Sequence, residues 1–227
     1  MLLGVYLDEN FEIFFVKEKC MFITIEGIDG SGKTTQSIFL SKWLNDLNIP
    51  NILTKEPGTP MVESCKKIRE LILNPENNIS SRAEFFLYLA DRAEHVEKCI
   101  EPALYRGDWV VSDRYFDSTR VYQGIGRGLG IEIISPMIKY ATHNIMPDIT
   151  FIMDISVEIG LCRARSSNKE FVGGDRMERE NIDFHNSLRE GFLMIAKTND
   201  RYFVLNASKP IGDLHKEIRE ILSKYIK

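Results

Sequence analysis

The sequence predicts a three-layer α/β fold, a five-stranded parallel sheet with helices on both faces, on three observations. Short β-branched and aromatic runs alternate with stretches of helical periodicity, the pattern of successive βαβ units. A glycine-rich turn stands directly between the first such run and the first helical stretch. The 227 residues, 44% of them hydrophobic, suffice for one core, and no shift in composition marks a second domain.

Strands are expected at Phe22–Glu26, Asn51–Lys55, 109–112, 149–155 and 201–205, all compact enough to be buried between helices. Three stripes with helical spacing are expected to face the core: Phe39, Trp43 and Leu47; Phe184, Leu188, Phe192 and Ile195; Leu214, Ile218, Ile221 and Tyr225. Ahead of the first strand, residues 1–20 read as an extension outside a domain that runs over 21–227. Residues 2–7 are mildly apolar but lack the basic flank of a secretory signal, and Asp8, Glu9 and Glu12 interrupt the run. The alternative is an extra edge strand over 12–16.

A net charge of −4 and an isoelectric point near 5.7 give no broadly basic surface for nucleic acid or membrane. Anionic ligands therefore have to be met by local arginines. Cys20, Cys65, Cys99 and Cys162 show neither a CxxC pair nor metal-like spacing, which suits reduced thiols in a cytoplasmic protein. The longest apolar runs are too short to cross a bilayer.

In a parallel sheet of this kind, ligands gather at the carboxyl ends of the strands. After the first strand stands Gly27-Ile28-Asp29-Gly30-Ser31-Gly32-Lys33-Thr34, the GxxxxGK[ST] spacing of a Walker A phosphate loop in its required strand-to-helix setting. Its glycines let backbone N–H groups converge on phosphate oxygens at a helix N-terminus. Lys33 adds a charge near the β and γ phosphates, and the Thr34 hydroxyl is placed to ligate Mg²⁺. After the second strand comes Glu56-Pro57-Gly58, and after the third Asp113-Arg114-Tyr115. Asp113 suits a Walker B acid that holds Mg²⁺ or its waters opposite Thr34, and Arg114 suits a bidentate phosphate clamp. A plain Asp–Arg pair at a loop is the competing reading.

From residue 21 to the C-terminus the chain resembles the bacterial thymidylate kinases. The shared landmarks are the phosphate loop with its acid at Asp29, Glu56-Pro57-Gly58, Tyr88-Leu-Ala-Asp91-Arg92, Asp113-Arg114-Tyr115 with Ser118-Thr119, Tyr122-Gln123-Gly124 with Gly126-Arg127-Gly128, Pro147-Asp148, Asp154, and Gly160-Leu161-Cys162-Arg163-Ala164-Arg165. The resemblance implies the P-loop nucleoside monophosphate kinase fold with a short lid over about 163–179. It implies transfer of the ATP γ-phosphoryl group to dTMP with Mg²⁺, a step of dTTP biosynthesis, by a cytoplasmic homodimer. Nucleotide binding then extends over Gly27 to Lys33, Thr34 and Thr35.

The same resemblance implies roles for individual residues. Asp29 meets the deoxyribose 3′-OH. Arg69, Arg92 and Arg114 surround the acceptor with Glu56 and Pro57, and Tyr88 stacks on thymine where phenylalanine is common. Ser118 and Thr119 face the base or sugar, and Tyr122 excludes a 2′-OH. The phosphate loop carries no arginine between Ile28 and Ser31, so the chain resembles the type whose lid supplies the catalytic arginine, from Arg163, Arg165 or Arg176. Some relatives carry a third arginine where this chain has Ser167. Two other readings of a phosphate loop are a nucleoside or other nucleotide kinase and a hydrolase switch. The cluster Arg69, Arg92 and Arg114, suited to an acceptor phosphate, disfavours a switch and a kinase of free nucleosides.

Overall fold

The computed structural model describes residues 5–7, 13–15, 20–167, 171 and 173–226. Val5–Leu7 (β1) and Ile13–Phe15 (β2) form an antiparallel ribbon of their own; the other residues ahead of Cys20 lie outside the described residues. The main sheet comprises β3 (Phe22–Glu26), β4 (Asn51–Lys55), β5 (Trp109–Asp113), β6 (Ile149–Asp154) and β7 (Tyr202–Asn206). All are parallel, in the order β4-β5-β3-β6-β7. The chain enters at the centre, builds towards one edge and returns to build towards the other, which makes a switch point beside β3.

Helices α1 (Lys33–Asp46), α2 (Glu63–Leu73), α3 (Ser81–His95), α4 (Glu101–Arg106), α5 (Phe116–Thr119), α6 (Ile131–Ala141), α7 (Val157–Ser167), α8 (Ile182–Ile195) and α9 (Ile211–Leu222) form the outer layers. π-helical stretches follow α3 over Val96–Ile100 and α5 over Arg120–Gly126. Alternate strand residues face opposite layers. Phe22 and Val110 join a cluster with Phe85, Leu89 and Ile134, from α3 and α6. Ile23, Ile25 and Val111 join one with Leu40, Leu188 and Ile218, from α1, α8 and α9.

The strand positions agree with the sequence expectation, but their burial does not throughout. β3 and β5 are buried along their whole length and β6 up to its last residue, whereas β4 and β7 bury only part of theirs, because they are the sheet edges. The stripe on α1 is likewise displaced. Leu40 and Leu44 supply its core face, while Phe39 and Leu47 are 39% and 44% exposed. Phe39 meets the His215 ring edge-on, and Arg219 stacks over Trp43, so this stripe serves the seam with α9. At the C-terminus Leu222 is fully buried, while Tyr225 is 47% exposed. The stripe of α8, from Phe184 to Ile195, is buried as expected, and the Asn181 side chain caps its first turn by accepting from Phe184 N–H at 2.8 Å.

One contact between layers matters for the site. A Cβ on Gly30 would stand 1.9 Å from the Gly160 carbonyl oxygen, and one on Gly160 would stand 2.7 Å from that of Asp29. Helix α7 therefore packs on the phosphate loop backbone to backbone. Gly160→Ala, although it favours a helix intrinsically, is expected to cost about 1–3 kcal/mol. Urea unfolding measures it, and an unchanged midpoint would contradict the close packing.

Candidate active site

The carboxyl ends of β3, β4 and β5 open into a single cleft of about 490 Å³. Of the sequence-predicted residues, Asp29, Gly30, Lys33, Thr34, Glu56, Pro57, Arg69, Tyr88, Arg92, Asp113, Arg114, Ser118, Thr119 and Tyr122 line it together. Gly30 and Gly32 turn the phosphate loop with φ of +72° and +90°, a region that favours glycine. Parallel pairing of β3 with β5 brings this loop beside the Asp113 turn. There the Thr34 hydroxyl donates to Asp113 Oδ2 at 2.5 Å. Two hard oxygens thus converge at the mouth of the loop, the donor chemistry that Mg²⁺ prefers.

Lys33 Nζ donates to the Ile28 carbonyl at 2.7 Å. Burial, and after it the Arg114 charge, pull its ammonium down to about 8 against the opposing pull of Asp29 and Asp113. Burial would raise the Asp29 carboxyl, yet Arg114 and Lys33 hold it at about 2. Asp29 is gripped from both sides, by Arg114 Nη2 at 2.5 Å and the Tyr122 hydroxyl at 2.8 Å. Arg114 has a left-handed backbone, φ +73°, and also donates to the Gly27 carbonyl and to Ser118 Oγ at 2.8 and 2.9 Å. It is both a wall of the cleft and a tie between two strand ends.

A further part of the cleft wall stands on a buried ion pair. Arg92, the largest fully buried side chain described, lies 2.7 Å from Glu56 Oε2 and donates to Thr119 Oγ1 and the Tyr115 carbonyl at 2.8 and 3.2 Å. Glu56 Oε1 meets His95 Nδ1 at 2.8 Å, and His95 Nε2 meets Thr54 Oγ1 at 2.7 Å. Burial opposes ionisation of Glu56 most strongly, but the charges and hydrogen bonds of Arg92 and His95 together outweigh it and hold the carboxyl below its ordinary value. Arg69 Nη1 donates to the Pro57 carbonyl at 3.2 Å.

The family model for thymidylate kinase matches residues 25–218. A thymidylate kinase of Carboxydothermus hydrogenoformans is 46% identical over 201 residues, 88% of this chain and 96% of its own. One from Halothermothrix orenii is 43% identical over 199 residues, 87% and 94% of the two chains. The crystal structure of thymidylate kinase from Ehrlichia chaffeensis superposes with a TM-score of 0.72 at 33% identity, covering 89% of this chain and 98% of that one. The chain belongs to the thymidylate kinase family.

Within this thymidylate kinase framework the arginines expected in a lid point apart. Arg163 Nη1 donates to the Ala207 carbonyl at 3.3 Å, on the turn between β7 and α9, whereas Arg165 Nη2 donates to the Glu178 carbonyl at 3.1 Å, beside the cleft. Arg176 is engaged elsewhere, 2.6 Å from Glu84 on α3, with Nε on the Ile72 carbonyl. Gly27, Ile28, Ser31, Gly32, Thr35, Arg163, Arg165 and Arg176 are not among the cleft-lining residues. Residues 168–170 and 172 of the lid lie outside the described residues.

The cleft also holds residues to which the sequence assigned no role: Tyr115, Gln123 and Ala164, which stand in the landmarks, and Lys55, Leu73, Asp175, Met177 and Glu178. Burial and, after it, the Asp29 charge raise the Asp175 carboxyl to about 6. Behind the cleft, Glu26 ends β3 fully buried. Its Oε1 accepts from the Tyr115 and Ser118 N–H groups and its Oε2 from the Ser118 hydroxyl at 2.6 Å. Ser118, expected to face the base or sugar, lines the cleft and is also a strut between Glu26 and Arg114. The signal was a carboxylate at the end of an otherwise uncharged, buried strand.

Burial, and after it Asp117, push the Glu26 carboxyl from 4.5 up to about 7. Its contribution to stability is fully present below about pH 4.5 and is lost as pH rises through 7. Glu26→Gln is therefore expected to gain on the parent between pH 4 and 8, by on the order of 3 kcal/mol. Urea titrations across that range check this, and a constant difference between the two proteins would refute it.

Proposed function

We propose that this cleft transfers the γ-phosphoryl group of ATP, with Mg²⁺, in line to the phosphate of dTMP. As a thymidylate kinase family member the chain is a phosphotransferase that converts dTMP to dTDP. One observation carries the reading of the site: a phosphate loop and the arginines Arg69, Arg92 and Arg114 line one cleft, and Asp29 of the loop pairs with Arg114.

The donor side is the backbone of Gly27 to Gly32 with Lys33, Thr34 and Thr35. With its value near 8, Lys33 keeps its proton at neutral pH and presents a cation to the donor phosphates. Thr34 and Asp113 hold Mg²⁺, which when bound neutralises charge on those phosphates. On the acceptor side Tyr88 offers a ring face for thymine. Asp29, ionised, accepts from the sugar 3′-OH, and Tyr122 closes the sugar pocket. Arg69, Arg92 and Arg114 hold the acceptor, with Arg92 also fixing Glu56 and Thr119 in the wall. No side chain has to deprotonate the nucleophile, because a phosphate oxygen is already nucleophilic at neutral pH. What the residues contribute is alignment and charge neutralisation.

Arg165 is the lid arginine that acts on the transferring group, since it leans towards Glu178 and the cleft while Arg163 leans towards Ala207. Arg176, expected at the donor site, is held by Glu84 and the Ile72 carbonyl and would serve that site only by seating the segment that carries it. The working enzyme is a cytoplasmic homodimer. Phe86 of α3 and Ile133 and Tyr140 of α6, exposed by 57%, 70% and 88%, suit a surface that a second copy covers. Residues 1–20 remain outside the catalytic domain. Among the described residues no helix is long and apolar enough to cross a membrane.

The test is ADP formation from ATP and Mg²⁺ with a panel of nucleoside monophosphates and free nucleosides. Stimulation by dTMP well above dUMP is expected; stimulation by free thymidine, or hydrolysis without an acceptor, would overturn the reading. Arg165→Ala is expected to lower kcat by about a hundredfold or more with smaller changes in either KM, as loss of a transition-state contact requires. An unchanged kcat would move the role to Arg163 or Arg176.

A further inference from the structure

Glu84 lies on α3 one turn before Tyr88 and two turns before Arg92, so the three share a face. It is fully buried and does not line the cleft. Its Oε1 accepts from Gln123 Nε2 at 2.8 Å and Arg127 Nε at 3.2 Å. Its Oε2 lies 3.1 Å from Arg127 Nη2 and 2.6 Å from Arg176 Nη2. Arg127 in turn reaches Glu180 at 2.6 Å, and the Arg176 backbone N–H donates to the Leu73 carbonyl at 3.0 Å. One carboxylate therefore ties a cleft-lining amide, Gln123, to both ends of segment 176–180, the segment that brings Met177 and Glu178 to the cleft.

We infer that Glu84 is a positioning residue for the phosphoryl transfer: through Arg127 and Arg176 it seats the second half of the lid, and through Gln123 it fixes the acceptor wall, so that the two keep one geometry during turnover. The inference rests on the proposed reading of the cleft and the lid. The charges explain why a carboxylate is needed. Two guanidinium groups, each mostly buried, converge on Glu84, and removing the shared anion leaves Arg176 without its carboxylate partner and Arg127 with Glu180 alone. A glutamine can accept one of these bonds but cannot balance two cations.

The test compares Glu84→Gln with the parent, whose dTMP-dependent turnover and ATP binding are measured first. A parent that lacks either refutes the proposed reading of the cleft and, with it, the ground of this inference; with the parent active, the variant alone decides the role of Glu84. The variant is expected to lose about ten- to a hundredfold in kcat, the scale of a small misplacement of reacting groups, with a smaller change in the KM for ATP. Amide exchange is expected to accelerate about tenfold in peptides spanning 175–180 and to stay unchanged in β3 and β6. A lower melting temperature with kcat intact would make Glu84 merely structural and overturn the inference, as would unchanged exchange at 175–180. If Glu84→Gln does not fold, Glu180→Gln cuts only the Arg127 branch on a half-exposed side chain. It is expected to lower kcat several-fold and loosen the same peptides, and parent-like behaviour would likewise overturn the inference.

Discussion

The distance between the phosphate loop and the acceptor wall is set by the parallel pairing of β3 with β5, and Arg114 keeps the two loops that follow in register. Its backbone N–H donates to the Ile25 carbonyl on β3, while its side chain spans Gly27, Asp29 and Ser118. A lysine has one point of attachment where this guanidinium uses several at fixed angles. The left-handed backbone at Arg114 is an arrangement that a non-glycine residue rarely adopts, and here the bonds on both sides of the residue hold it. Asp29 and Thr34 both depend on this tie. One bonds Arg114 directly, and the other meets the neighbouring Asp113.

Charges buried behind the cleft would be costly alone, and the structure meets that cost by linking them. Arg92, Glu56, His95 and Thr54 form one continuous chain, and Thr59 extends it at 2.9 Å from Thr54. Asp91, which accepts from the Gly58 N–H, closes the turn from the other side. A single truncation in such a chain leaves a partner unpaired in an apolar setting, so its effect on the wall exceeds the worth of one contact. The shape of this wall is thus a property of the network, which reaches behind the cleft-lining Arg92 and Glu56 to His95, Thr54 and Thr59.

Elements with a local signature were legible in the sequence. The strand positions followed from short β-branched runs, and the phosphate loop and the Asp113-Arg114 turn followed from their place after strands. Partnerships that depend on distant packing were not. Glu26 reads as one strand residue among five, and its role exists only because Tyr115 and Ser118, some ninety positions on, turn their N–H groups towards it. Glu84 carries no signal of its own in the sequence, and Arg127 stands there only as a landmark of the family resemblance; their partnership exists only where α3, the stretch after α5 and segment 176–180 come together. The α1 stripe failed for a related reason: spacing shows that Phe39, Trp43 and Leu47 share a face, but not whether the sheet or α9 covers it.

The divergence of Arg163 and Arg165 has a geometric cause in α7. Residues two apart on an α-helix point about 200° from each other, so these two side chains cannot both address one point beside the helix. The backbone contact between Gly160 and the phosphate loop fixes the rotation of α7 about its axis, which puts Arg165 on the side of Glu178 and Arg163 on the side of Ala207. Repeating the arginine at a spacing of two therefore distributes charge around the helix rather than concentrating it. The glycine in the helix decides which of the two stands on the side of Glu178 and the cleft.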